Sequence, residues 1–347
     1  MKIGSFEISA QSGVFIIAEL SANHNGSLEV AIETIKAAKR SGADAIKLQT
    51  YTADTLTIDC DHEDFVLRSN SIWDGRTFYD LYQEAYTPWE WHEALFKAAA
   101  EEGLICFSSP FDKTAVDFLE NLHTPAYKIA SFEITDIPLI EYVASKQKPV
   151  IISTGIATEE DISLALEACY RMGNRDIALL KCTSSYPAPI EEANLMMVQD
   201  LANRFDVISG LSDHTLGSTA PVVATVFGGK IIEKHFILDR SIGGPDASFS
   251  MNEEEFAQMV KAVREAEKAI GQVDYRLTEK QAKGKDFSRS LYVVEDVKAG
   301  EVFTEKNVRS IRPGFGLHPK YYVSVLGQIA TMDISRGSRL EEAMFIK

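Results

Sequence analysis

The sequence has no uninterrupted apolar run of the roughly 18 residues that a membrane-spanning helix needs. Its opening stretch, Met1 to Gly13, shows no apolar segment behind a basic start. A cytoplasmic address is the expectation. Cysteine is scarce: Cys60, Cys106, Cys169 and Cys182 fall in no paired spacing. Cys106 and Cys182 sit in apolar runs, which argues against a disulfide framework and for reduced thiols. Positive charge is also short, with Lys+Arg 35 against Asp+Glu 51 and a formal net charge of −16. Nucleic acid and anionic membrane surfaces reward basic patches, so neither is expected as a partner. No Gly-x-Gly-x-x-Gly follows the first apolar run, which removes support for a nucleotide-binding sheet. Internal repeats and low-complexity tracts are absent as well.

What is present is a regular alternation. Short β-branched or apolar runs recur at Val14–Ala18, Ala45–Leu48, Leu104–Phe107, Ala126–Ile129, Val150–Ile152, Ile177–Leu180, Val207–Ile208 and Lys230–Ile232. Between them lie amphipathic stretches, among them Leu28–Arg40, Pro88–Glu102, Thr114–Leu122, Glu159–Met172 and Glu253–Ile270. At Thr87-Pro88-Trp89-Glu90 a cap, a proline at the first helical position and a glutamate at the third predict a helix start. Eight such units predict a (β/α)8 TIM barrel over 1–271, with an open doubly wound sheet as the alternative. A polar linker, 272–285, leads to a compact β-rich module over 286–347, with strands at Ser290–Val294 and Val308–Ile311 and a turn at Lys298–Glu301. From Asp286 to Lys347 there are nine Lys or Arg and eight Asp or Glu, so the preceding part carries nearly all the negative charge.

In a barrel the chemistry gathers at the C-terminal ends of the strands. These ends carry Glu19; Lys47 and Gln49; Ser108 and Ser109; Lys128, Ser131 and Glu133; Ser153 and Thr154; Thr183 to Ser185; Ser212 to His214; and Glu233 with His235. Any one serine is more often a helix cap, as Ser153 and Thr154 could be ahead of a helix. Polar residues at all eight ends are harder to assign to capping. Lys47 and Lys128 need anionic partners: either an anionic substrate held with the serines, or a structural ion network with Glu19, Glu133 or Glu233. His214 and His235 end neighbouring strands, so their rings can converge on one cation or each can be a hydrogen-bonded core histidine.

At these residues the chain resembles a known family. Phe15 to Gly26 (FIIAELSANHNG), Gly42 to Gln49 (GADAIKLQ), Tyr127 to Ser131 (YKIAS), Ile152 to Gly155 (ISTG), Gly210 to His214 (GLSDH) and Glu233 to Phe236 (EKHF) are similar to the sialic acid synthase family. The resemblance covers essentially the whole chain, and the tail Asp286–Phe345 resembles the antifreeze-like (SAF) domain of those enzymes. It implies condensation of phosphoenolpyruvate with the open-chain aldehyde of an N-acetylated amino sugar, with loss of phosphate by carbon–oxygen cleavage. Carried over residue by residue, Lys47, Ser109, Lys128, Ser131, Ser153, Ser184 and Ser212 would hold phosphoenolpyruvate. His214 and His235 would bind a divalent metal cation, manganese first and magnesium or cobalt as alternatives. Glu19 would handle protons, and Gln49, Glu133, Tyr186 and Asp246 would surround the sugar. The tail implies a domain-swapped homodimer in which Arg312 completes a neighbour's sugar site.

Within the family, Ser21 stands where other branches show glycine, and the segment Ile72 to Trp91 resembles the branch that makes pseudaminate from 2,4-diacetamido-2,4,6-trideoxy-altrose. N-acetylmannosamine and the legionaminate precursor are the alternative sugars. The stretch Thr50 to Thr87 is far longer than an ordinary βα loop and, with the helix start after it, holds Trp73, Trp89 and Trp91. Trp73 and Tyr86 are the expected sugar contacts, Trp89 and Trp91 packing residues. A different chemistry, a Schiff-base lyase on Lys128, is the alternative outside this family.

Overall fold

Each of the eight apolar runs becomes a strand: β1 Phe15–Glu19, β2 Ala45–Thr50, β3 Ile105–Pro110, β4 Tyr127–Ile129, β5 Val150–Ser153, β6 Ile177–Cys182, β7 Ile208–Asp213 and β8 Ile231–His235. All neighbours are parallel and β8 pairs with β1, so the sheet closes into a barrel and the open-sheet alternative falls. The computed structural model describes residues 1–68 and 74–346. It forms two compact units, Met1–Gly271 and Gln272–Lys347. Several strands run past their apolar stretch, β2 to Thr50, β3 to Pro110, β7 to Asp213 and β8 to His235. The polar ends are therefore ladder-bonded strand residues held in a fixed register.

Strand parity decides which side chains enter the barrel, because successive residues point to opposite faces. Phe15, Ile17, Ala45, Phe107, Ala126, Ile151, Ala178, Leu180 and Ile231 form one inner cluster, which packs with Ile3 and Ile8 of the N-terminal segment. Their outward neighbours Ile16, Ala18, Ile46, Leu48, Leu211 and Ile232 pack under the helices instead. The floor is thus closed by large apolar side chains, each contributing about 1.5–3 kcal/mol on burial. Continuing the same parity, β1 presents Glu19 inside, β2 Lys47 and Gln49, β3 Ser109, β4 Lys128, β5 Ser153, β7 Ser212, and β8 Glu233 and His235.

The helices are α1 Leu28–Arg40, α2 His92–Glu101, α3 Lys113–Asn121, α4 Ile137–Ala144, α5 Glu159–Arg171, α6 Met196–Phe205, α7 Thr219–Val226 and α8 Glu253–Ile270. Their caps are local: Ser27 accepts from Val30 N, Asp112 from Ala115 N, and Thr158 and Asn252 close capping boxes with Asp161 and Glu255. The expected start at Thr87 is corrected. Pro88 leads into a 3-10 turn, Trp89–Trp91, and the Thr87 hydroxyl is turned inward against His24 Nε2 at 3.3 Å. Helices α4 and α7 carry no clear sequence signal. IPLIEYVA and TAPVVATV are apolar nearly all round, as buried segments are, so the 3.6-residue period is lost.

The second unit has its own core of Leu291, Val293, Val297, Phe303, Val308, Val325, Ala330, Ile334 and Leu340. Antiparallel β9 Ser290–Val293 and β10 Val308–Ile311 pair in it, as do β11 Ile329–Ala330 and β12 Phe345–Ile346. The expected turn is present, with Glu301 N donating to Lys298 O at 3.0 Å. A short helix, Glu279–Lys283, lies within the expected linker. Among the described residues no helix is long and apolar enough to cross a membrane.

Candidate active site

Four charged side chains meet inside the barrel, one layer above the apolar floor. Glu233 Oε1 accepts from Lys128 Nζ at 3.2 Å, Lys47 Nζ at 3.3 Å and Ser212 Oγ at 3.1 Å. Lys47 also pairs with Glu19, and its Nζ reaches Ser109 Oγ at 3.3 Å. All four charged groups are buried. The lysines thus do form an ion network, with Glu233 as its hub. Two carboxylates in one site differ in protonation because their neighbours differ. Burial alone would raise Glu233, but the ammoniums of Lys128 and Lys47 outweigh it and hold this carboxyl at about 2. Glu19 is pushed up to about 7, first by burial; Lys47 opposes this and the charge on Glu233 adds to it. Glu233 is a permanent anion, and Glu19 is the member of this pair that can exchange a proton near neutrality.

Beside the lysines lies a pocket of small polar groups. Ser131 Oγ and Ser184 Oγ are 2.7 Å apart, and Ile156 N donates to Ser131 Oγ at 3.2 Å. A Cβ placed on Gly155 would stand 2.1 Å from Ser184 Oγ and 2.5 Å from Ser131 Oγ, so only glycine leaves this space open. The Ser153 hydroxyl is buried without a hydrogen-bond partner. An unpaired buried hydroxyl costs free energy, which an oxyanion at this place would offset. The capping reading of Ser153 and Thr154 is corrected: the helix cap is Thr158, and Thr154 Oγ1 donates to Leu180 O at 3.1 Å.

The register of β7 and β8 brings two imidazoles together. Ser212 lies opposite Glu233 and Asp213 opposite Lys234, so His214 and His235 follow side by side, ring centroids 5.3 Å apart. His214 Nδ1 is 2.9 Å from the Thr183 carbonyl, which can only accept, so Nδ1 carries a proton and Nε2 is the nitrogen left to face a cation. His235 Nδ1 is buried with no hydrogen-bond partner, and Asp246 Oδ2 lies 3.8 Å away. Burial holds this ring well below its ordinary pKa, with His214 and Lys47 adding, so it is neutral. Burial opposes the charge on His214, but Cys182 and the Thr183 carbonyl raise it above its ordinary pKa, so a divalent cation at the orphaned His235 nitrogen would displace the second His214 proton and take its other ligands from water or substrate. No group of three or more candidate ligand residues is present among the described residues, so the protein would supply only these two.

Around the rings are the groups suited to a polyhydroxylated ligand. Gln49 Nε2 donates to Glu19 Oε1 at 3.2 Å and to Ser21 Oγ at 3.0 Å, and Ser21 in turn donates to Asp246. Ser21 adopts φ 48°, the left-handed region that favours glycine. The strain accompanies a hydroxyl that ties Gln49 to Asp246. Tyr186 packs on His214 with ring centroids 4.3 Å apart. Glu133 has an unpartnered buried Oε2 and is pushed up to about 7 by burial, against the pull of Lys128.

Parity removes some polar strand ends from the site. Ser108 bonds Thr50 and Asp213 bonds Lys234, both on the outer face. His24 is a packing residue, pushed down to about 4 by burial and set edge-on to Trp91. Trp89 stacks on Phe118. Trp73 lies outside the described residues, and Arg312 belongs to the second unit. Glu233, expected as one possible ion partner of the lysines, proves a central member of the site, whereas Ser21 and Gly155 were not expected there; period-2 alternation from His235 along β8 aims Glu233 inward.

The mouth of the closed barrel thus gathers a lysine–serine cradle, a paired-histidine edge and carboxyls pushed up toward neutrality, the groups of an enzyme that binds an anion beside a polar ligand. Residues 34–275 match the NeuB family and residues 288–346 match the SAF domain. The chain belongs to the NeuB family, whose members are generally metal-dependent. It is 51% identical over 345 residues, 99% of this chain and 100% of the relative, to a pseudaminic acid synthase of Campylobacter jejuni. It is 48% identical to the pseudaminic acid synthase of Helicobacter pylori over 91% of this chain and 93% of that one. Among solved structures, N-acetylneuraminic acid synthetase from Leptospira borgpetersenii superposes with a TM-score of 0.73 at 28% identity, covering 82% of this chain and 94% of that one.

Proposed function

We propose that this chain condenses phosphoenolpyruvate with 2,4-diacetamido-2,4,6-trideoxy-L-altrose and water, giving pseudaminic acid and phosphate. The observation that carries the reading is the 51% identity over 99% of the chain to a pseudaminic acid synthase. The mouth of the barrel holds the groups such a reaction needs. Lys47 and Lys128, with Ser109, Ser131, Ser153, Ser184 and Ser212, receive the carboxylate and phosphate of phosphoenolpyruvate. With Glu233 ionised and Glu19 protonated, the tetrad carries one net positive charge, which favours an anion. Gln49, Glu133, Tyr186 and Asp246 surround the sugar.

C3 of phosphoenolpyruvate attacks the sugar aldehyde, and water adds at C2. The tetrahedral carbon then expels phosphate by cleavage of its C–O bond, leaving the 2-keto acid. Glu19, on the layer between the lysines and the histidines, takes the proton of the water or returns one to the aldehyde oxygen. His214 and His235 would hold the divalent cation, manganese or else magnesium or cobalt, which supplies a Lewis acid for the aldehyde oxygen. Lys128→Met removes a charge-assisted contact and raises the KM for phosphoenolpyruvate more than that for sugar.

The same reading includes a homodimer with exchanged C-terminal units, in which Arg312, exposed beyond β10, completes the partner subunit's sugar site. Mixed heterodimers of Arg312→Ala and Glu19→Gln then regain activity that neither variant has alone. The reading includes a cytoplasmic enzyme, drawing on phosphoenolpyruvate as a cellular metabolite. The test of the assignment is phosphate release with the altrose sugar, the diacetamido-mannose precursor of legionaminate and N-acetylmannosamine. The altrose sugar gives the highest kcat/KM; a higher value with N-acetylmannosamine overturns the assignment.

A further inference from the structure

Above the polar layer, β2 and β3 carry one more inward layer, and it is aromatic. Lys47, Gln49 and Tyr51 alternate along β2 and its continuation, as Ser109 and Phe111 do along β3, so Tyr51 and Phe111 share the inward parity. The register pairs Gln49 with Ser109 and Thr50 with Pro110, which sets Tyr51 beside Phe111 with ring centroids 5.1 Å apart at 74°. Tyr82, on the loop helix Phe78–Ala85, completes the group at 5.8 Å and 73° from Tyr51. The loop is pinned there: Trp89 Nε1 donates to Tyr51 O at 3.1 Å.

We propose that Tyr51, Phe111 and Tyr82 form the wall that receives the C6 methyl of the sugar and selects a 6-deoxy substrate. This deepens the pseudaminate reading and rests on it. The aldehyde, C1, must lie beside Glu19, Gln49 and the histidines. Two residues along a strand rise about 6.6 Å, a length comparable to an extended six-carbon chain. The end opposite the aldehyde therefore reaches the next layer, where β2 and β3 offer ring faces. The two tyrosine hydroxyls lie close enough to the carboxyl groups of the mouth to feel their charge. Burial raises both, the charges of Asp246 and Glu19 add at Tyr51, and the charge of Glu133 adds at Tyr82, which reaches about 12. Packing of the long loop alone would not require an inward tyrosine beside these carboxyl groups. A methyl gains from aromatic contact and a hydroxymethyl loses water there, so the wall discriminates by desolvation at C6.

The experiment compares kcat/KM for the 6-deoxy altrose sugar and its counterpart bearing a hydroxyl at C6. The wild-type enzyme prefers the 6-deoxy sugar by about tenfold. In Tyr51→Ala the preference falls to about twofold or less while the KM for phosphoenolpyruvate is retained, and Tyr51→Phe, which keeps the ring, keeps the preference. Should Tyr51→Ala unfold, Tyr82→Ala, at a half-buried position, carries the same test. Full preference in a folded, active alanine variant overturns the wall and leaves the pseudaminate reading standing. A wild-type enzyme indifferent at C6 also overturns the wall. N-acetylmannosamine as the best substrate overturns the pseudaminate reading and the wall with it.

Discussion

Asp213 and Lys234 form a buried ion pair at 2.5 Å on the outer face of β7 and β8, and each stands one residue before a histidine of the site. Lys234 also donates to the carbonyl of Thr215, and Asp213 accepts from Thr215 N at 2.9 Å, so one pair fixes the turn after His214 and the register of both strands. Lys234→Met leaves a buried carboxylate unpaired and lowers the unfolding free energy by about 3–5 kcal/mol in urea titration. Adding Asp213→Asn, which removes the charge and keeps an acceptor for Thr215 N, recovers a large part of that loss. A single variant that loses less than about 1 kcal/mol would show that the pair does not clamp the strands.

Gly155→Ala tests the serine cradle by filling it. The new methyl stands within 2.5 Å of both serine oxygens, which must then leave their present positions. Displacement of that size lowers kcat/KM for phosphoenolpyruvate by on the order of tenfold to a hundredfold, with a smaller change in the KM for sugar. Unchanged use of phosphoenolpyruvate by a folded variant would remove the cradle from the site.

Glu133 makes the stability depend on pH in a definite direction. Its folded pKa is about 7 against an ordinary 4.5, burial being the first cause and Lys128 the opposing one. Between these values the folded state holds a proton that the unfolded state has released, so this group's contribution falls as pH rises from about 4.5 to about 7. The slope is at most about 1.4 kcal/mol per pH unit. Glu133→Gln removes the buried charge. Its stability relative to the wild type therefore rises across that window and levels off above it. Urea midpoints at pH 5 and pH 8 that differ equally for both proteins would refute this account of Glu133.

Much of this was legible in the residues, and the reasons for the rest are specific. The eight strands declared themselves because β-branched runs bounded by turns have few other uses, and the motifs around Lys47, Lys128, His214 and His235 named the family. What the list of polar strand ends lacked was parity. Applied from Lys47, alternation passes through Gln49 to Tyr51; applied from Ser109 and Ser212, it sets Ser108 and Asp213 aside. The sequence around the lysines suits an anion cradle and an ion network equally, a choice that no single strand can decide. Glu233 comes from β8, Lys47 from β2 and Lys128 from β4, and only barrel closure brings them together. The expected helix start at Thr87 fails for a similar reason: the hydroxyl suited to capping is bonded instead to His24, from the connection that follows β1.

The most direct test of the proposed chemistry follows the bridging oxygen of phosphoenolpyruvate. With that oxygen labelled and the altrose sugar as acceptor, cleavage of the C–O bond sends the label into inorganic phosphate, and the pseudaminic acid formed takes its C2 oxygen from water. Mass spectrometry of both products reads the outcome. Label retained in the sugar acid would contradict the mechanism. So would a covalent adduct on Lys128 after borohydride treatment during turnover, which would make the barrel a Schiff-base lyase.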